Sequence, residues 1–436
     1  MNSRATNPVL NKSFVLYFQV HQPKRLNNVR FFDIGAGNTL FNDNLDREII
    51  QRVARECYLP ANALLLKTIK KNPDVRVAFS LSGVIIEQLE KYAPEVLKSF
   101  RDLAFTGKVE FLSETYYHSL ACMIPGKEFE AQVLKHSEKM YEHFGVHPSV
   151  FRNTELIYND DIGKRVKRLG YAGIITDGLE KILGGCCSAN HVFEHPDRGL
   201  KILLRNYRLS DDIAFRYMEG GKHLTAEKYI SWLNGLSKDE EVINLCMDYE
   251  TFGEHHKKDS GIFKFFEDLL TRLAKGKTFD MLTPSQAISK FQAHSQLSVP
   301  QFISWADQER DLSAWLGNEM QRDAFDSLLK LEFDVKNLND PDVLEQWRNL
   351  QTSDHFYYMS TKKGSDGNVH NYFSPYPSPY EAFINYMNVL TDFSMQVRIL
   401  KSGKMETRKM ETRSVRVAVN VPQSIGSRMT MLSSAR

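Results

Sequence analysis

The stretch Glu241–His256, EVINLCMDYETFGEHH, indicates most about the fold of this chain. Its apolar run, Val242–Met247, has the length and composition of a buried strand and ends abruptly at Asp248. Ionisable side chains follow at once, and they are Glu250, Glu254, His255 and His256. A buried strand that ends in this way delivers a carboxylate to the rim of a site.

A second stretch, Val150–Asp160, VFRNTELIYND, repeats this arrangement with Glu155. Two carboxylates at the mouths of two strands suit chemistry on a glycosidic bond. One carboxylate attacks the anomeric carbon, and a second, protonated group donates to the leaving oxygen. We expect the apolar run before Asp248 to raise the pKa of that carboxyl, whereas Arg152 helps to keep Glu155 ionised.

Apolar runs alternate with amphipathic helical patterns over the first 290 residues. The predicted strands are Phe14–Val20, Val75–Ser80, Val109–Leu112, Val150–Arg152, Ala172–Thr176, Ile202–Asn206, Val242–Met247 and Phe279–Leu282. The predicted helices include Asp46–Tyr58, Ala61–Lys70, Glu128–His143, Asp160–Leu169 and Ile262–Lys275. This alternation predicts an α/β fold with a parallel sheet, and seven or eight units favour a barrel. An open doubly wound sheet remains an alternative, although no GxGxxG turn follows the first strand.

The strand signal disappears from about residue 291. Trp315–Asn337, Asp342–Asn349 and Tyr380–Leu400 have helical periodicity instead. We therefore predict a barrel domain over residues 1–290 and a C-terminal helical subdomain over residues 291–400 that completes the site. Residues 401–436, which contain the repeat KMETR-KMETR, are predicted to form a disordered tail.

Composition narrows the class of protein. The chain has 436 residues, 42% hydrophobic and 25% charged, with a net charge of +2, so it matches a globular protein without the basic footprint of a nucleic-acid binder. Its five cysteines have no CxxC spacing and predict neither a disulfide framework nor a zinc site. We expect no metal, no cofactor and no membrane partner. With no apolar leader segment at the N-terminus, a cytoplasmic location is the default expectation.

Polar residues recur at the carboxyl ends of the predicted strands, where active sites of parallel αβ-barrels form. These residues are His21, the segment from Glu110 to His118, Glu155, Asp177 and Asp248. Five such positions in register are a stronger signal than any one of them.

Five segments in this order resemble the motifs of glycoside hydrolase family 57, and of its α-amylase group in particular. They are His21-Gln22-Pro23, Gly107–Leu112 (GKVEFL), Phe151–Leu156 (FRNTEL), Met247–Gly253 (MDYETFG) and Gln351–Met359 (QTSDHFYYM). Ser304–Asn318 (SWADQERDLSAWLGN) is also similar to that group. The third segment departs from the family pattern, because Phe151 stands where the family often has Trp and Leu156 stands where a polar residue is usual.

The resemblance implies an incomplete seven-stranded (β/α) barrel with a C-terminal helical bundle, a retaining mechanism and α-glucan or malto-oligosaccharide substrates. It assigns the nucleophile to Glu155 and the general acid/base to Asp248. It places Asp354 and His355 near the substrate and makes His21 a ligand of sugar hydroxyls. The remaining candidates for substrate binding are Gln22, Glu110, His118, Asp177, Glu250 and His255.

Structural roles are the competing interpretation of several of these residues. Asp248 alone is also typical of a residue that caps a turn, and Glu155 is also placed to form an ion pair with Arg152 or Lys164. The adjacent histidines 255 and 256 suggest a metal site, but neighbouring side chains generally point in different directions and no partner set has zinc spacing.

Four functions remain open at this stage. The leading one is a retaining hydrolase of α-glucans, and a 4-α-glucanotransferase would use the same covalent intermediate. A metal-dependent deacetylase or mannosidase on a similar barrel needs a His/Asp set that the first strand end does not supply. A glucan-binding protein with an inactive site is the last alternative.

Overall fold

The computed structural model describes residues 11–185, 187–276 and 278–419. Two five-stranded sheets lie within these residues. The strands are β1 (Lys12–Val20), β2 (Val77–Leu81), β3 (Val109–Phe111), β4 (Val150–Arg152), β5 (Gly173–Asp177), β6 (Val192–Glu194), β7 (Lys201–Arg205), β8 (Val242–Asp248), β9 (Phe279–Leu282) and β10 (Ser295–Gln296). All eight predicted strands are confirmed, whereas β6 and β10 were not predicted.

Seven of these strands, β1 to β5, β7 and β8, curl into an incomplete parallel barrel. β1 pairs with β8 along its length, with β9 through its first half and with β2 through its second half, and β3 follows β2. The second sheet has the order β4, β5, β7, β6, β10, in which only β6 and β7 pair antiparallel. A bridge between Ser113 and Phe151 joins β3 to β4, and Asn206 N donates to Asn244 O at 2.8 Å beside β7 and β8. This architecture confirms the predicted fold class.

The interior of the barrel is mostly apolar along the strands and becomes polar at their carboxyl ends. Side chains alternate along each strand, so every second residue points inward. One buried cluster fills this interior, and it includes Val15, Tyr17, Leu112, Val150, Ile175, Leu203, Val242 and Cys246. The next inward positions after Val150 and Cys246 are Arg152 and Asp248, which bring charged groups to one end of the barrel.

Helices cover the outside of the barrel, except for the last one, whose Ala287 and Ile288 join the interior cluster. They are α1 (Asp43–Val53), α2 (Leu59–Lys71), α3 (Gly83–Tyr92), α4 (Pro94–Ala104), α5 (Glu128–Phe144), α6 (Asp160–Arg168), α7 (Glu180–Leu183), α8 (Tyr207–Ala214), α9 (Ala226–Asn234), α10 (Ile262–Lys275) and α11 (Pro284–Lys290). A π-helical turn, Ala54–Tyr58, separates α1 from α2. The five helices predicted in this region are present, with ends that differ by three residues at most apart from this turn.

The C-terminal region is helical, as the sequence predicts. Its helices are α12 (Ser313–Leu316), α13 (Glu319–Leu329), α14 (Glu332–Leu338), α15 (Pro341–Asn349), α16 (Ser353–Tyr357), α17 (Gly364–Phe373) and α18 (Pro379–Val419). The helical range Trp315–Asn337 is divided among α12, α13 and α14, and Asn318 caps α13 with a side chain that accepts from Gln321 N. α18 also includes residues 401–419, which the sequence assigns to the tail, and residues 420–436 lie outside the described residues.

The C-terminal helices pack on the outer face of the second sheet. One buried cluster contains Phe151 and Ile174 of the sheet together with Trp315, Trp347 and Tyr386 of the helices. This shared core fixes α16 at the carboxyl ends of the strands. Among the described residues, none of the helices combines the length and the hydropathy of a membrane span.

We expect Gly253→Ala to destabilise the protein by roughly 2 kcal/mol or more, and thermal unfolding would measure it. Gly253 has a φ of 112°, which disfavours any side chain, and a Cβ there would lie 2.0 Å from the Glu56 carbonyl oxygen. Gly107→Ala is a suitable control, because its φ of 66° carries strain but no atom lies within 4 Å of the added Cβ. Equal melting temperatures for the two variants would contradict this close approach.

Candidate active site

A cavity of about 700 Å³ opens at the carboxyl ends of the barrel strands. Both candidate catalytic carboxyls, Glu155 and Asp248, line it. Its other walls include the segment after β1, helix α1, the end of α8, the loop that precedes α12, and helices α16 and α17. The sequence-predicted residues that also line it are His21, Gln22, His118, Glu250, His255 and Asp354.

Glu155 is held as an ionised carboxylate. It follows β4 in a left-handed conformation, with a φ of 57°, and Leu156 after it has a φ of 53°. His118 Nε2 lies 3.0 Å from Glu155 Oε1, and Trp305 Nε1 donates to Oε2 at 2.7 Å. Burial raises the pKa of the Glu155 carboxyl, but the hydrogen bond and charge of His118, with the charge of Arg152, outweigh burial and hold the pKa below its usual value.

His118 links Glu155 to a second buried carboxylate, Glu114. His118 Nδ1 lies 2.7 Å from Glu114 Oε2, so the imidazole bridges two acids. Burial lowers the pKa of His118, but the charge of Glu114 leads a larger opposing effect and raises that pKa to about 9. Burial likewise raises the pKa of Glu114, yet the charge of His118 helps to bring it to about 2. His118 is therefore a cation that keeps Glu155 ionised.

Asp248 has the opposite electrostatic environment. Burial, together with the negative charge of Glu155, raises the pKa of the Asp248 carboxyl to about 6, although Arg152 and His118 oppose this. The two acids thus differ in protonation around pH 5, and they line the same cavity. This separation of pKa values is the pattern by which one carboxyl serves as nucleophile and its neighbour as acid.

Trp305 and Arg152 complete the environment of Glu155. The Arg152 guanidinium is fully buried and lies 5.1 Å from the centroid of the Trp305 ring, and the Arg205 guanidinium lies 5.5 Å from the same ring. Trp305 N also donates to Glu155 O at 3.2 Å. The two cations and the backbone bond fix the indole so that its N–H points at the carboxylate.

His21 and Asp354 form a second polar pair on the cavity wall. His21 Nε2 lies 3.2 Å from Asp354 Oδ2, and its Nδ1 lies 2.7 Å from Ser82 Oγ. The His21 ring stacks on His118, with centroids 4.1 Å apart. Burial and the charge of His118 lower the pKa of His21. Burial raises the pKa of Asp354, but the hydrogen bond and charge of His21 outweigh burial and hold that pKa below its usual value. A neutral imidazole beside a carboxylate suits recognition of sugar hydroxyls.

Glu250 is a buried carboxyl that keeps its proton. Tyr58 donates a hydrogen bond to Glu250 Oε1, and Gln22 Nε2 donates to the same oxygen at 3.3 Å. Burial, followed by the charge of Asp248, raises the pKa of Glu250 to about 8. Gln22 is held in turn by Arg25, whose guanidinium donates to Gln22 Oε1. Glu250 thus presents a neutral acid to the cavity beside Asp248.

Three predicted substrate-binding residues do not line the cavity. Glu110 instead accepts from the backbone N and the hydroxyl of Ser285 at the start of α11, at 3.0 and 2.8 Å. Glu110 shares the inward face of its strand with Leu112 but lies nearer the amino ends of the strands, so it is in the barrel interior away from the cavity.

Asp177 and His355 also lie outside the cavity lining. Asp177 is fully buried and pairs with Arg205 at 3.3 Å and with Arg310 at 3.0 Å. His355 is buried against Tyr386, with ring centroids 5.9 Å apart. Both arginines that pair with Asp177 line the cavity, so this carboxylate holds two cations at its wall.

The structure also shows which site residues sequence reasoning missed. Trp305 lies in a segment that the resemblance includes, but no role was assigned to it. Glu114 lies inside the segment from Glu110 to His118, but only Glu110 and His118 were chosen from it as candidates. The spacing of four residues between Glu114 and His118 is a signal that could have paired them.

Possible metal ligands lie elsewhere within the described chain. Glu90, Glu142 and His143 are the group whose ligand atoms come within 4.8 Å of one another, and they lie on α3 and α5, outside the cavity. The two adjacent histidines diverge, as expected. His256 Nε2 lies 2.9 Å from Ala214 O, whereas His255 lines the cavity.

A barrel with one ionised and one protonatable carboxyl in a shared cavity suits the chemistry of a glycoside hydrolase. The family model of glycosyl hydrolase family 57 matches residues 15–300. A Methanocaldococcus jannaschii protein provisionally named an α-amylase is 44% identical over 402 residues, which cover 88% of this chain and 84% of that protein. The chain belongs to glycosyl hydrolase family 57, and it is a glycoside hydrolase.

Solved structures share the fold at low identity. A family 57 branching enzyme from Pyrococcus horikoshii has a TM-score of 0.62 and 15% identity, and the match covers 84% of this chain and 87% of that one. A 4-α-glucanotransferase from Thermococcus litoralis has a TM-score of 0.60 and 16% identity, with 79% of this chain and 56% of that one covered. These likenesses establish the fold and leave the reaction open.

Proposed function

We propose that this protein is a retaining hydrolase of α-glucans that works through a covalent glycosyl-enzyme. The observation that carries the proposal is the opposite shift of two pKa values in one cavity, lowered for Glu155 and raised to about 6 for Asp248. The similarity to the Methanocaldococcus jannaschii protein, whose name refers to α-amylase, supports α-glucans as the substrate class.

The reaction has two steps. Glu155 attacks the anomeric carbon while Asp248 donates its proton to the leaving glycosidic oxygen, which breaks the glycosidic bond and forms an ester. Asp248, now ionised, takes a proton from water, and the hydroxide oxygen attacks the anomeric carbon and releases Glu155 as a carboxylate. Trp305 and His118 orient the nucleophile by donating to its two oxygens. His21 and Asp354 are placed to bind hydroxyls of the reacting sugar.

Transfer to a second sugar is the other candidate reaction. It uses the same ester, and a sugar hydroxyl replaces water in the second step. The fold likeness to a 4-α-glucanotransferase and the size of the cavity, which can hold more than one sugar, favour it as the alternative.

Maltoheptaose is the substrate that tests the proposal. Proton NMR of the early products is expected to show new reducing ends in the α configuration, because two inversions give net retention. Chromatography is expected to show only shorter oligosaccharides, and products longer than maltoheptaose would establish transfer instead. New ends in the β configuration would contradict the covalent mechanism, and binding without turnover would mean that the protein only binds glucan.

A further inference from the structure

Exposed aromatic side chains surround the mouth of the cavity. Phe215 after α8 is 61% exposed, and Tyr372 and Phe373 at the end of α17 are 62% and 39% exposed. All three line the cavity. Clustered exposed apolar side chains beside a polar site mark a binding surface.

The rings of α17 form an ordered platform with His255. Tyr372 and Phe373 meet edge to face, with centroids 5.0 Å apart, and the His255 ring lies 5.9 Å from Tyr372 and 5.6 Å from Phe373. Burial, with the charge of His256, lowers the pKa of His255 to about 4, so its ring is neutral near pH 7. We call these three rings the aromatic platform.

α17 is tied to the loop that holds the nucleophile. His370 Nε2 lies 3.1 Å from both carboxylate oxygens of Asp307, and Gln308 N donates to Asp366 Oδ2 at 3.2 Å. Trp305, at the start of the same loop, donates to Glu155. The platform is therefore fixed relative to the reacting groups before substrate binds, which lowers the entropic cost of binding.

We infer that the aromatic platform, with Phe215, binds glucosyl residues on the leaving-group side of the scissile bond. This rests on the proposed function. His255 N donates to Glu250 O at 2.9 Å, two residues after Asp248, so the platform is attached to the segment that carries the acid, and both line the same cavity. The apolar faces of glucosyl rings pack on aromatic rings, and the Arg52–Glu254 ion pair beside the platform supplies partners for hydroxyls.

Binding measurements on the Glu155→Gln protein separate this inference from catalysis. Calorimetry of maltoheptaose and maltotriose is expected to show roughly tenfold weaker maltoheptaose binding when Tyr372→Ala is added, because one stacking surface is lost, and little change for maltotriose. Tyr372→Phe keeps the ring and is expected to restore most of the affinity. Tyr141→Ala is the matched control, since Tyr141 is 54% exposed on α5 and does not line the cavity.

In the active protein, the same Tyr372→Ala change is expected to raise KM for maltoheptaose with little effect on kcat. Equal maltoheptaose affinity for the Tyr372→Ala and Tyr141→Ala proteins would overturn the inference. So would equal losses for maltoheptaose and maltotriose, because the platform would then bind the reacting sugar itself. If Glu155→Gln retained full turnover while Tyr372→Ala still weakened maltoheptaose binding, the proposed mechanism would fail. The inference that the platform binds glucan would still hold.

Discussion

Replacing Glu155 with Gln is expected to lower kcat on maltoheptaose by at least about 10³-fold. The amide has nearly the shape of the carboxylate and keeps a carbonyl oxygen that accepts from Trp305 or His118, but it is a poor nucleophile. Binding of maltoheptaose should remain, because the walls of the cavity do not change. Glu180→Gln, at an exposed carboxylate on α7, is the control and should leave kcat unaltered. A Glu155→Gln protein with wild-type kcat would eliminate Glu155 as the nucleophile.

Azide identifies the role of Glu155 more directly. In Glu155→Ala, a small anion can occupy the space of the lost carboxylate and attack the anomeric carbon itself. One inversion from an α-glucoside gives a β-glycosyl azide, with the glycosidic oxygen leaving as a hydroxyl after protonation by Asp248. The anomeric configuration can be measured by NMR. Absence of both rescue and azide product would indicate that Glu155 is not the group replaced.

The strands and the two acids could be predicted because each signal is local. Val242–Met247 is buried on both faces and apolar except at Asn244, and it ends at a charged residue because the barrel interior opens there. β6 could not be predicted with the same rules. It contains three residues and runs antiparallel to β7, so it does not follow the βαβ alternation on which the prediction depended.

The partners of the acids could not be predicted because they come from distant parts of the chain. Trp305 is 150 residues from the carboxylate to which it donates, and Asp354 is 333 residues from His21. The direction of the Glu155 pKa shift likewise depends on tertiary neighbours. Burial alone would raise that pKa, and the cationic His118, itself fixed by Glu114, reverses the direction together with Arg152. Local sequence indicates which residue is acidic, whereas the assembled charges decide its protonation.

Activity is expected to follow a bell-shaped dependence on pH with its basic limb near pH 6. Asp248 must be protonated to donate, so activity falls as pH rises through its pKa of about 6. Glu155 must be ionised to attack, so activity falls as pH drops through its lowered pKa. The basic limb belongs to Asp248, whose pKa is raised by burial and by the charge of Glu155. Initial rates of kcat/KM from pH 3 to pH 9 would measure both limbs.

Asp248→Asn is expected to lower kcat on maltoheptaose by about 10³-fold and to remove the basic limb, because no proton remains to be lost at that position. A 2-chloro-4-nitrophenyl maltoside needs no acid for its leaving group, so the variant should release one equivalent of phenol in a rapid burst and then stall as the ester. Azide should relieve the stall, since it needs no general base, and two successive inversions should give an α-glycosyl azide. That product has the opposite configuration to the one expected from Glu155→Ala, and the same configuration in both variants would show that the two roles are wrongly assigned.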